Sequence, residues 1–132
     1  MNIKPLVLFV FSVGLLTASS PIFAHHGSAS YDSSKVTTVK GTVSEFRFVN
    51  PHVQILFDVT DASGNAHKWI AEAVSVANMS RDGWNKNTLK PGDQITTSGY
   101  AAKNGSHSMR LSKIVLSDGK TFTLERAEDY AN

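Results

Sequence analysis

Two features of the sequence predict its fold class. Short runs alternate apolar and polar residues with a period of two, and one helical stretch interrupts them after the third run. Together they predict a mainly β fold, a small five- to six-stranded Greek-key barrel with one short helix between strands 3 and 4. The chain has 132 residues, enough for one domain with a modest core.

The β pattern starts at Val36. Val39, Gly41 and Val43 fall on one face, whereas Phe46 and Phe48 have the opposite parity. A strand cannot change its buried face without an inserted residue, so the switch predicts a bulge or sharp bend near Ser44-Glu45. Pro51 cannot donate to a ladder and ends this first strand near Asn50. Val53, Ile55, Phe57 and Val59 alternate with polar residues as a second strand, and Asp61-Ala-Ser-Gly-Asn65 has hairpin turn chemistry. His67 to Ala73, centred on Trp69 and Ala71, forms the third.

Val74 to Trp84 is the helical stretch, with Ser75 as a candidate cap and Gly83 as a stop. Pro91-Gly92 suits a type II turn. Ile95 to Tyr100 is the fourth strand, and Asn104-Gly105 marks the next turn. Ser108 to Leu116 and Lys120 to Leu124 complete the set. Three strands, a helix and then two or three strands is the order of the OB type of barrel, in which a long bent first strand serves both sheets.

Before the barrel, Met1–Pro5 carries Lys4, Leu6–Leu16 is almost wholly apolar, and Thr17–Ala24 is small and polar. That is the layout of a secretory signal peptide cleaved after Ala24. The apolar run is shorter than the roughly 20 residues of a spanning helix. The expected organisation is a signal peptide over 1–24, a flexible N-terminal arm over 25–35, the barrel domain over 36–125 and a tail over 126–132. A short leader with one lysine suits bacterial export, to the periplasm or the medium, with no membrane attachment after cleavage. The chain has no cysteine, which excludes disulfides and thiolate metal sites. Its formal net charge is +2, and losing Lys4 with the leader leaves +1. So small an excess gives no electrostatic footprint for nucleic acid.

The combination Ala24-His25-His26, Gly41-Thr42-Val43, Asn50-Pro51-His52, Trp69 with Glu72, Gly83-Trp84, Leu89-Lys90-Pro91-Gly92-Asp93, Gly99-Tyr100 and Lys103-Asn104-Gly105-Ser106 resembles a family of small exported bacterial proteins classed only as a domain of unknown function. The resemblance implies export and an OB-like fold, and no established activity. Members of that family often have a Ser-Pro-Asn step after the third strand, whereas Val74-Ser75-Val76-Ala77-Asn78 here lacks the proline.

Cleavage after Ala24 would make His25 the first residue of the mature chain. Its α-amino group, with a pKa of about 8 in the free state, and its imidazole Nδ1 can close one chelate ring on a metal. A third nitrogen would complete a tetragonal set suited to Cu(II), in the manner of a histidine brace. The metal candidates are therefore His25, His26 and His52, the last set by the Asn-Pro-His step. Asn50 and Glu72 are the ligand-binding candidates at the barrel mouth. The alternative for the first pair is a polar terminus without a role, and for Asn50 and His52 a turn cap. His67 and His107, beside turns, are expected to be solvated.

No paired carboxylates, nucleophile elbow or phosphate-cradling glycine loop occurs, so no catalytic residue is assigned. The leading expectation is a non-enzymatic exported binding module for a small ligand, a metal ion or a periplasmic protein, with Cu(II) as its sharpest version. The alternatives are a copper-dependent redox enzyme or accessory subunit, and a structural protein-docking domain.

Overall fold

In the computed structural model, the described residues are 28–124. The expected signal peptide, His25, His26, the last expected barrel residue Glu125 and the tail over 126–132 lie outside them. A short 3-10 turn (Ser28–Ser30) leads into β1 (Tyr31–Arg47), β2 (Gln54–Thr60), β3 (Ala66–Glu72), helix α1 (Val76–Arg81), β4 (Gln94–Ala102), β5 (Ser108–Leu116) and β6 (Thr121–Thr123). The sheet order is β3-β2-β1-β4-β5-β6, and a parallel pairing of β3 with β5 closes the first five strands into a ring. The other neighbours are antiparallel. This is the mainly β, OB-like arrangement that the element order predicts.

β1 makes the closure possible. It pairs with β4 from Val36 to Thr42 and with β2 from Thr42 to Arg47. Its register with β2 shifts between Val43 and Glu45. The parity change read from Val43 and Phe46 is therefore a bulge, at the predicted place. β1 also begins earlier than its apolar alternation suggests. Tyr31 pairs with Ala102 and is only 8% exposed, although Asp32 to Lys35 are polar and outward. Strand pairing, rather than apolar patterning, recruits that segment.

Ile55, Phe57 and Ala71 point inward from β2 and β3, with Val43, Ile95, Met109, Leu111 and Ile114 from the other strands. Helix α1 is shorter than the stretch 74–84. Ser75 caps it, accepting from the Asn78 amide, and Met79 drops into the core. Trp84, after the helix, packs on Phe46 and Phe122. Gly92 has φ +95°, as the second central position of a type II turn requires.

Gly99 sits at a second register shift, on β4, where a Cβ would lie 2.1 Å from the Arg110 carbonyl oxygen. The obstacle is backbone and cannot turn aside. Gly99→Ala should lower stability by about 2–3 kcal/mol, read as a reduced urea midpoint.

Asp61 organises the β2–β3 turn. Its carboxylate bonds His67 Nε2 at 2.9 Å and accepts from the amides of Ser63 and Asn65. The His67 bond first, and then those amides, hold its pKa down at about 2. The folded value lies below the unfolded one, so this stabilisation is full above about pH 4 and is lost as pH falls through about 2. In Asp61→Asn that acid-dependent part should vanish, so stability measured from pH 5 to 2 should fall less steeply than in the parent protein.

Candidate functional site

β2 and β3 alternate strictly, so residues opposite in parity to Ile55, Phe57 and Ala71 form an outward row. Across this face Asp58 pairs with Lys68, Leu56 with Ile70 and Gln54 with Glu72. Glu72 is the last residue of β3 and is flanked by Gln54 on β2 and Arg110 on β5. His52 lies two residues before β2, where the chain is held by Val53 N–H donating to the Val74 carbonyl.

Here the structure brings two of the candidate residues together. His52 Nδ1 donates to Glu72 Oε1 at 2.7 Å, and the two side chains are 34% and 27% exposed. The bond fixes the imidazole's orientation and leaves Nε2 as the nitrogen available to a ligand. Asn50 does not join them. Its side-chain oxygen accepts from the Val76 amide at 3.1 Å and fastens the β1–β2 loop to the start of α1. Its part in the site is to set the loop from which His52 projects. His25 and His26 lie outside the described residues.

A third side chain completes the cluster. The Tyr31 phenol stands close enough to Glu72 to feel its charge. Burial first, then the Glu72 charge, pushes the phenol above its ordinary range, while Arg110 pulls the other way. Arg110 lies over the Tyr100 ring at 5.0 Å, so its charge is held beside the cluster. The sequence holds one hint of Tyr31's role, as the single large side chain in a small, polar segment. Arg110 has none, because its partners come from other strands.

His67 and His107 are more connected than two solvated residues beside turns would be. Their rings meet edge-on at 5.0 Å, and His107 stacks on Trp69 at 5.2 Å and 14°. Even so, no group of three or more histidine or carboxylate side chains among the described residues is arranged to hold a metal ion.

This architecture is that of a small OB-like β domain with a carboxylate-braced histidine on its outward β2–β3 face. The chain belongs to the DUF6152 family, a family of unknown function, whose model matches residues 13–110. No curated protein matches it. Among solved structures it is similar to Rim1, the mitochondrial single-stranded DNA binding protein of S. cerevisiae. The TM-score is 0.48 at 13% identity, covering 63% of this chain and 93% of that one. It is also similar to a tRNA fluorescent labeling enzyme, with TM-score 0.42 and 17% identity over 64% of this chain and 18% of that one. TiaS, in its complex with a tRNA and ATP, gives 0.43 and 16% over 65% and 19%. These likenesses concern the course of the backbone and carry no ligand across.

Burial first and then the Glu72 charge hold the Tyr31 phenol up, so removing that charge must lower it. In Glu72→Gln the Tyr31 hydroxyl should titrate at lower pH than in the parent, followed by NMR of the tyrosine ring.

Proposed function

We propose that this protein is an exported binding module whose site is a Cu(II) centre built from the mature N-terminus and His52. The observation that carries this reading is the 2.7 Å bond from His52 to Glu72, with Tyr31 near enough to feel the Glu72 charge. Tyr31 anchors the start of β1, and His25 precedes it by six residues. Six residues span at most about 20 Å, so the anchor keeps the candidate chelate within reach of His52.

The chemistry of the donors agrees with the metal. The amino group and imidazole of His25 supply two nitrogens, and His52 Nε2 or His26 supplies a third. Three nitrogens favour Cu(II) among the divalent first-row ions. A histidine that gives its second ring N–H to a carboxylate is the usual form of a metal-ligating imidazole, and Glu72 fills that supporting position. The described fold contributes one nitrogen, so the arm must contribute the rest.

The test compares Cu(II) affinity, by competition with a chelator of known strength, in mature protein starting at His25 and in three variants. One extra residue ahead of His25 should weaken binding by tenfold or more, because it removes the amine from the chelate. His52→Ala and Glu72→Gln should each weaken it by roughly 10–100-fold. Equal affinity with and without the extra residue overturns the terminal chelate. So does an intact mass showing that the exported form starts elsewhere than His25.

A further inference from the structure

The outward β2–β3 face continues past Glu72 into a cleft of about 710 Å³. That volume is within the range of small-molecule sites. The cleft opens because β3 and β5 pair only from Ile70 to Glu72, so the earlier half of β3 parts from the β4–β5 connection. Its walls come from the β1 bulge on one side and residues 106–108 on the other. In OB barrels ligands lie on the strand 2–3 face beside the strand 4–5 loop, which here carries Ser106 and His107.

The lining is amphiphilic. Leu56 and Ile70 supply an apolar floor, with Ile70 37% exposed, and Trp69 borders the cleft through its stack with His107. Ser44, Ser106 and Ser108 supply hydroxyls at the rim, and the last two are bonded to each other at 2.9 Å. His107 adds ring nitrogens. The charges here are neutralised within the protein. Glu45 takes both its bonds from Arg47, at 2.7 and 2.9 Å, and Lys68 reaches Asp58 at 3.3 Å. His67, behind His107, is bonded to Asp61.

We infer that this cleft binds an uncharged oligosaccharide, seating the apolar face of a sugar ring on Leu56 and Ile70 and its hydroxyl edge against Ser106, His107 and Ser108. A phosphate backbone would require cations that are not already committed to carboxylates. An acidic ligand would meet the same shortage. A neutral polyhydroxylated ring, apolar on one face and hydrogen-bonding around its edge, matches both the floor and the rim. The inference does not depend on copper, since neither the floor nor the rim includes His52 or the arm.

The test titrates metal-free mature protein with cellohexaose, chitohexaose and maltohexaose, following backbone and indole resonances by NMR. At least one sugar should bind with a Kd below about 1 mM and move Trp69, Ile70 and Ser108, leaving the Trp84 indole, packed on Phe46 and Phe122, unmoved. Ile70→Ser and Ser108→Ala should each weaken that binding by about tenfold, and Val36→Ser, an exposed apolar position on β1, should leave it unchanged. Silence with all three sugars overturns the inference. Tighter binding of oligothymidylate or of an extended peptide at the same residues overturns it equally.

Discussion

A single strand, β1, takes part in two pairings, and the closed ring rests on that. β1 has 17 residues and passes from β4 to β2 at Thr42, which is in register with Gln94 on one side and Asp58 on the other. A regular strand bent that far would send Phe46 to the wrong face. The inserted residue at Val43–Glu45 restores Phe46 to the core side, where it meets Trp84. Gly41, one residue before Thr42, gives the clearance needed. A Cβ there would lie 2.6 Å from the Asp58 carbonyl oxygen and 2.7 Å from the Phe57 ring. The ring closes because β1 can bend here without burying a polar side chain or exposing an aromatic one.

The functional face follows from this closure. With β1 bent, β3 is carried round to β5, but the two meet only over their last and first residues respectively. Glu72 therefore ends its strand between β2 and β5, where it receives His52 and where its charge reaches Tyr31 at the start of β1. Immediately before it, the half of β3 that does not pair with β5 opens the cleft beside Ile70. The braced imidazole and the amphiphilic cleft are thus neighbours on one surface, produced by the same short parallel contact.

The carboxylates illustrate how local and distant partners differ. Asp61 acts within its own turn, on Ser63, Asn65 and His67, and such a role can be inferred from turn chemistry alone. Glu72 acts on residues 20 and more positions away in the chain, at His52 and Tyr31. Trp69 and Glu72 stand on opposite faces of β3, as their odd separation requires, yet their separation in sequence says nothing of what each face meets.

Whatever depends on neighbours along the chain is legible in the residues themselves. The alternations of β2 and β3, the Ser75 cap, the Pro91-Gly92 turn and the bulge near Ser44 all follow from side-chain parity and backbone preference, which operate over a few residues. The element order then restricts the closed ring to an OB-like one. Only the assembled sheet reveals that β1 reaches back to Tyr31, that His52 meets Glu72 while Asn50 is spent on α1, and that Arg110 stands over Tyr100. Each of these depends on registers between strands far apart in the chain. Such registers are settled by the packing of the whole core, which leaves no local trace in the residues it brings together.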